Sequence, residues 1–214
     1  MRFADAAGID AVTVDAFGTL VVLEDPAERL RRALGRHGIE RTHTEVAAAF
    51  RVEAAHYRPR SLRGQDAASL TELREECAGV FLEHLGVQLE AAVFVPAFMA
   101  SLVFRAADGA VVALERLHSA GLALACVANW DIGLHEHLDR LALGRYFGAV
   151  VTSAEAGAEK PDPAILLEAL GRLGVRSDRA LHVGDEDADR KGALAAGLGF
   201  EPVPLATVPE RIGL

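Results

Sequence analysis

The amino-acid sequence predicts an α/β fold, a Rossmann-like parallel sheet with an inserted helical cap. Three observations carry that prediction. From residue 110 onward, short apolar runs rich in Val, Ala and Leu alternate with amphipathic runs of helical period. Most of the helical runs stop at a glycine, at positions 121, 144, 174 and 197, just before the next apolar run. A first strand-like run, DAVTVD (10–15), is separated from the second, LALACVAN (122–129), by more than a hundred residues. A parallel crossover needs only about a dozen.

Taken in order, residues 10–15 read as a short buried strand. Asp25-Pro26-Ala27-Glu28 is a helix start, with a capping Asp, Pro in the first turn and Glu three residues after the cap. Leu30, Ala33 and Leu34 mark its apolar face. Val46, Phe50, Ala54 and Tyr57 predict a second helix, with Thr44 as its cap. Leu70, Leu73, Cys77, Val80, Phe81 and Leu85 predict a third, stopped by Gly86. Residues 91–104 are apolar and broken by Pro96, and their pattern fits more than one state. Helices over roughly 110–120, 133–143, 162–173 and 188–196 then alternate with strands at 122–129, 149–153, 180–185 and about 199–203. The helix at 110–120 alone would complete the first crossover, so residues from about 22 to 105 are surplus to the sheet. They are expected to form a helical module over its edge.

Composition narrows the function classes. The chain has 214 residues and a formal charge of −9, which argues against a nucleic-acid surface. Arg29, Arg31, Arg32 and Arg36 read as a solvated helix face. No apolar run is long enough to span a bilayer, and the opening MRFADAAGID lacks the pattern of a secretory signal. Cys77 and Cys126 fall in apolar patterns and in no CxxC pair, so neither a disulfide nor a zinc site is expected. These features predict a cytoplasmic protein without nucleic-acid or membrane partners.

Ligands of open parallel sheets bind beyond the carboxyl ends of the strands. The first strand ends at Asp15, followed by Ala16-Phe17-Gly18-Thr19, and the second ends at Ala128-Asn129. Lys160 precedes Pro161-Asp162-Pro163 in the third crossover, and the fourth strand ends at Gly184-Asp185 with Glu186, Asp187 and Asp189 close behind. Singly, each has a bland explanation: a strand-end cap, a turn amide, a surface lysine or a helix cap. Jointly they bring carboxylates, an amide and an ammonium to one edge. Asp15 and Asp185 on adjacent strand ends would repel without a cation between them, and hard oxygen ligands suit Mg²⁺. Lys160 and Asn129 could then neutralise and hydrogen-bond a bound anion.

DAFGTL (15–20), VAN (127–129), EKPDP (159–163) and GDEDAD (184–189) resemble, in order and spacing, the four motifs of the haloacid dehalogenase superfamily. The resemblance spans nearly the whole chain. It implies a core domain of residues 1–21 and 106–214 and a helical cap domain of residues 22–105. It implies Asp15 as nucleophile, with Lys160 and Asn129 as its catalytic partners. Gly18, Thr19, Asn129, Trp130 and Lys160 would contact substrate. Mg²⁺ would be held by Asp15, the backbone carbonyl of Phe17, Asp185 and Asp189. The activity implied is Mg²⁺-dependent hydrolysis of a small phosphorylated metabolite through an aspartyl intermediate at Asp15.

Two positions depart from that pattern. Phosphatases of the superfamily usually carry a second Asp two residues after the nucleophile as general acid and base, where this chain has Phe17. The second motif usually offers Ser or Thr where this chain has Ala128. An aromatic residue at position 17 is similar to the 2-haloacid dehalogenases, whose halide leaves without a proton. The acidic pair Asp185 and Asp189 points instead to metal, and so to phosphate. Three readings follow: a phosphatase with weak turnover, a 2-haloacid dehalogenase, or a member that binds a phosphorylated ligand with its catalysis impaired. Trp130 either lines a substrate pocket or packs beside the cap hinge. His135 and His137 are a poor metal pair, and His182 reads as a core or sheet-face residue. The oligomeric state is left open.

Overall fold

A computed structural model describes residues 8–214; the opening residues 1–7, which bear on the secretory-signal reading, lie outside that range. Strand β1 (Ala11–Val14) and a short β2 (Val21–Leu23) lead into helices α1 (Pro26–Gly35), α2 (His43–Tyr57), α3 (Ala67–His84) and α4 (Ala91–Ser101). A short β3 (Phe104–Ala106) follows, then α5 (Ala110–Ser119), β4 (Ala123–Ala128), α6 (Leu134–Arg140), β5 (Ala149–Thr152) and α7 (Ser153–Ala156). The chain finishes with α8 (Ala164–Leu173), β6 (Ala180–Gly184), α9 (Asp187–Ala196), β7 (Gly199–Pro202) and α10 (Val208–Arg211). It divides into two compact units, one running to Val22 and resuming from Arg105 to Leu214, the other being Leu23–Phe104.

The first unit is the α/β fold that the strand and helix alternation predicts. Its five strands are parallel in the order β5-β4-β1-β6-β7. Strand β1 is central and wholly buried, with Val14 level with Cys126 of β4 on one side and Val183 of β6 on the other. A strand covered on both faces cannot alternate polar and apolar residues, so these strands read as continuous apolar runs. Ile165, Leu166, Ala169 and Leu170 of α8 bury one face of the sheet against Val127 and Val151. Successive strands step outward from β1 through β4 to β5, then resume on the opposite side with β6. That reversal places the carboxyl ends of β4, β1 and β6 side by side, at the kind of switch point where open sheets bind ligands.

The second unit is helical. Its core gathers Leu30 and Leu34 of α1, Val46 and Ala49 of α2, Phe81 and Leu82 of α3, and Phe94 and Phe98 of α4. Helix α2 begins with a capping box in which Thr42 and Glu45 exchange hydrogen bonds, so the cap is Thr42 and not the Thr44 that the sequence suggests. The ambiguous stretch from residue 91 is helical as far as Ser101 despite Pro96. Proline removes one helical hydrogen bond, but Phe94 and Phe98 lie one turn apart and pack on Phe81 at ring separations of 6.0 and 5.4 Å. Tertiary packing of the aromatics outweighs the local penalty. Residues 104–106 then pair with β2 in a separate two-stranded sheet. Among the described residues, no helix is long and apolar enough to cross a membrane.

One carboxyl in this unit is buried. Glu53 of α2 is 5% exposed, and burial pushes its pKa up to about 7, although a hydrogen bond with Cys77 works the other way. A carboxyl raised in the folded state contributes stability that is complete below its unfolded value near 4.5 and lost as pH rises through about 7. Glu53→Gln should therefore raise the thermal stability of the protein at pH 8, by up to roughly 3 kcal/mol, and leave it little changed or lower at pH 5. Equal effects at both pH values, in thermal melts, would show that Glu53 does not titrate in this window.

Candidate active site

The carboxyl edge of the central strands collects the polar groups that the apolar strands exclude. Asp15 directly follows β1, and its amide donates to the Val183 carbonyl of β6 at 2.9 Å, which fixes it at the sheet edge. Asn129 directly follows β4, and Asp185 directly follows β6. Asp189 lies in the first turn of α9, and Lys160 lies in the segment between α7 and α8. The structure thus brings together Asp15, Asn129, Lys160, Asp185 and Asp189 from four separate places in the sequence.

At the centre is the Lys160 ammonium, 4% exposed as a residue. Its Nζ donates to Oδ1 of Asp15 at 2.6 Å, to Oδ1 of Asp189 at 2.6 Å and to the Val127 carbonyl at 2.9 Å. An ammonium has three N–H donors, so Lys160 is saturated by the protein. Contact with a substrate oxygen requires it to exchange one of these partners. Burial opposes its charge, but the two carboxylates outweigh that cost and hold the pKa above the ordinary lysine value.

Asn129 holds this lysine by its main chain. Its Oδ1 accepts from the Lys160 amide at 2.7 Å and its Nδ2 donates to the Lys160 carbonyl at 2.9 Å. The side chain therefore ties the end of β4 to the lysine-bearing segment, with one N–H of Nδ2 left over. Thr19 is buried and its hydroxyl donates to Oδ1 of Asp185 at 3.3 Å. Gly18 takes a φ of +85°, and a β-carbon there would run into Oδ2 of Asp185. At Gly184 a β-carbon would run into the Asp189 side chain. These two glycines let the backbone approach the carboxylates closely.

Phe17 is 43% exposed and Trp130 is 9% exposed, and their rings meet edge-on with centroids 6.3 Å apart. Trp130 also packs on His137 at 5.8 Å, and its carbonyl accepts from Ser153 Oγ at 3.2 Å and from the Ala154 amide at 3.2 Å. It is mainly a packing residue, while Phe17 presents an apolar face to solvent. Glu186 is exposed, and its amide donates to Oδ2 of Asp189 at 3.0 Å; Asp187 forms exposed ion pairs with Arg190 and Lys191.

Two residues of the network carry no signal in the motifs. His182 of β6 is fully buried, with Nδ1 2.8 Å from Thr13 Oγ1 and Nε2 3.1 Å from Oδ1 of Asp189. Burial pulls its pKa down; the hydrogen bond with Asp189 opposes this, and the Lys160 charge reinforces it. Both residues are polar within otherwise apolar strands, and a buried polar side chain needs a partner. That is the clue by which they could have been found.

The electrostatics favour a cation. One ligand atom from each of Asp15, Asp185 and Asp189 lies within 4.8 Å of the others. Burial and repulsion from Asp189 and Asp185, only partly relieved by Lys160, push the Asp15 pKa up to about 6. Asp185 is also raised, by burial and then by Asp189 and Glu186. Asp189 is held below the carboxylate range, because the bond from His182 and the Lys160 charge together outweigh its burial. Lys160 uses Oδ1 of Asp15 and Thr19 uses Oδ1 of Asp185, so each carboxylate has a second oxygen that these bonds do not use. Three carboxylates against one ammonium leave a net negative charge on hard oxygen donors, which fits Mg²⁺.

The family model of the haloacid dehalogenase-like hydrolases matches residues 9–197. The chain belongs to that family. It is 37% identical over 116 residues to haloacid dehalogenase-like hydrolase domain-containing protein 3 of Mus musculus, covering 51% of this chain and 46% of the mouse protein. It is 41% identical over 87 residues to a glyceraldehyde 3-phosphate phosphatase of Methanopyrus kandleri, covering 40% of this chain and 37% of that enzyme. The matched segment thus spans less than half the length of either relative. The L-2-haloacid dehalogenase of Xanthobacter autotrophicus superposes with a TM-score of 0.66 at 25% identity, over 91% of this chain and 77% of that one.

With its pKa raised, Asp15 holds a proton that competes with metal for the carboxylate. Mg²⁺ measured by calorimetry should bind well at pH 7.5 and weaken by about tenfold per pH unit once the pH falls below about 6. The stability that neutral Asp15 contributes is complete below pH 3.8 and lost as pH rises through about 6, so Mg²⁺ should raise the melting temperature more at pH 7.5 than at pH 5. Asp185→Asn should lower the affinity at least tenfold. Affinity that is flat from pH 5 to 8, or equal in the variant, would remove the ion from this cluster.

Proposed function

We propose that the chain is a Mg²⁺-dependent phosphatase acting on a small phosphorylated metabolite, with Asp15 as nucleophile. The observation that carries this reading is the meeting of Asp15, Asp185 and Asp189 at one site, with buried Lys160 bonded to Asp15 and Asp189. Dehalogenation of a 2-halo acid has no need of three clustered carboxylates; phosphoryl transfer uses a metal to offset the charge of carboxylates and phosphate together. Asp15, Asp185 and the backbone carbonyl of Phe17 would hold the ion, with Asp189 completing the acidic set. When bound, Mg²⁺ supplies charge neutralisation and polarises the phosphoryl oxygens.

The chain's own residues account for the rest. An Asp15 carboxylate oxygen attacks phosphorus as the bond to the leaving oxygen breaks, and that oxygen departs with the electron pair. Lys160 holds Asp15 in place and offsets charge beside the transferring group, and Gly18, Thr19, Asn129 and Trp130 border it. Water then attacks the phosphorus of the aspartyl-phosphate and returns Asp15 as carboxylate, its proton leaving to solvent. Residues 22–105 are assigned the role of a cap domain that selects the substrate, and the cytoplasm is the location in keeping with this chemistry.

Phe17 favours a second reading, 2-haloacid dehalogenation, because it can neither protonate a leaving alkoxide nor deprotonate water. The same residue favours a third, a binding protein for phosphorylated ligands whose turnover is impaired. A phosphatase with Phe17 should cleave aryl and acyl phosphates, whose leaving groups need no proton, far better than alkyl phosphates. With an aryl phosphate and Mg²⁺ it should release a burst of product near one equivalent and then turn over slowly. Phe17→Asp should raise the steady-state rate by about tenfold or more, since an acid–base group is worth roughly 10²–10⁴-fold. Turnover of 2-halo acids without Mg²⁺, and none of aryl phosphates with it, would establish the dehalogenase reading. A folded, Mg²⁺-binding protein that shows no burst, and gains nothing from Phe17→Asp, would leave the binding reading.

A further inference from the structure

The hydrogen bonds around Lys160 do not end at Asp189. They continue inward through β6 to β1, and both inner members lie outside the motifs. Thr13 and His182 face each other in register across the β1–β6 ladder, wholly buried. Each stands in a strand that is otherwise apolar.

An ionised Asp189 beside a neutral imidazole sets the direction of the protons. Oδ1 of ionised Asp189 can only accept, so His182 Nε2 at 3.1 Å must carry the hydrogen. In a neutral ring Nδ1 is then an acceptor, and Thr13 donates to it at 2.8 Å in preference to the more distant Leu181 carbonyl at 3.4 Å. The chain of donors therefore runs from Thr13 to His182 to Asp189, and Lys160 donates to the same Asp189 oxygen from the other side. Oδ2 of Asp189 is tied to the Glu186 amide. Three donors, two on Oδ1 and one on Oδ2, hold the Asp189 carboxylate.

We infer that Thr13 and His182 are positioning residues that lock the Asp189 carboxylate and, through it, set the Lys160 ammonium against Asp15. Thr13 and Asp15 lie two residues apart in one strand segment, so the network closes a loop. It starts beside the nucleophile, passes through the sheet and returns to the nucleophile through Lys160. Its consequence for rate rests on the phosphatase reading; its consequence for proton placement does not.

The test uses the full chain, which has only two lysines, buried Lys160 and exposed Lys191, so nitrogen NMR reads the Lys160 ammonium without ambiguity. In wild type the imidazole nitrogens of His182 should report hydrogen on Nε2 and none on Nδ1, and the Lys160 ammonium should be slow to exchange. Thr13→Val keeps the shape and removes the donor; it should change the His182 nitrogen pattern and speed exchange at Lys160. Thr13→Ser should restore both. With an aryl phosphate, the burst rate should fall about tenfold in Thr13→Val, with KM changed less than about twofold, and recover in Thr13→Ser. If wild type carries the hydrogen on Nδ1, or if folded Thr13→Val leaves the His182 and Lys160 signals unchanged, the inference is overturned. An absence of any burst in wild type counts against the phosphatase reading alone, because the nitrogen signals still report the network.

Discussion

The Lys160 ammonium is held inside the protein between two carboxylates, and the surrounding structure follows from keeping it there. Moving such an ion out of water costs several kcal/mol even after the protein relaxes around it, and a single partner rarely offsets that. Here Asp15, Asp189 and the Val127 carbonyl take all three N–H groups. They come from the residue after β1, from α9 and from β4, while the lysine's own main chain is clasped by Asn129. The parallel sheet brings these elements to one edge, and the buried charge binds them there. Removing either carboxylate would strand a cation in the interior, so the lysine is as much a structural constraint as a chemical group.

The same arrangement leaves the edge with too much negative charge. Three carboxylates meet one ammonium, and Asp15 and Asp185 both respond by holding their protons more tightly, whereas Asp189, which receives the lysine and His182 together, does not. Neighbouring acids thus differ in character because their hydrogen bonds differ. Asp189 behaves as a fixed anion that organises Lys160. Asp15 and Asp185 are the pair for which a bound cation would make the larger difference.

Much of this was legible in the sequence, for identifiable reasons. Strands covered on both faces must be apolar throughout, and their crossovers must be amphipathic, so the order of elements from residue 110 could be read directly. Asp15, Asn129, Lys160, Asp185 and Asp189 could be placed because each lies at or beyond a strand's carboxyl end. Their hydrogen bonds could not be read. Sequence does not tell that both amide atoms of Asn129 bind the Lys160 main chain, or that Thr19 serves Asp185. Thr13 and His182 stand out as polar residues within apolar strands, but their roles were hidden because such a residue shows which face it occupies only when its partner across the ladder is known. In the helical unit, Pro96 obscured α4 because the packing of Phe81, Phe94 and Phe98 involves residues far apart in the chain. The strands of residues 21–23 and 104–106 are too short to carry any period.

The approach of α9 to the end of β6 has a consequence for how this fold can vary in length. Gly184 and Asp189 are so close that the former has no space for a side chain, and only Asp185 and Glu186 separate strand from helix. One additional residue in that connection would have to be absorbed without moving the first turn of α9, where Asp189 meets both Lys160 and His182. The connection after β1 accommodates the whole of Leu23–Phe104 as a separate unit. Insertions and deletions are therefore tolerated very unevenly around one edge of one sheet. The space after the first strand takes a whole unit, whereas that after the fourth strand of the sheet in chain order is set by the contact of Gly184 with Asp189.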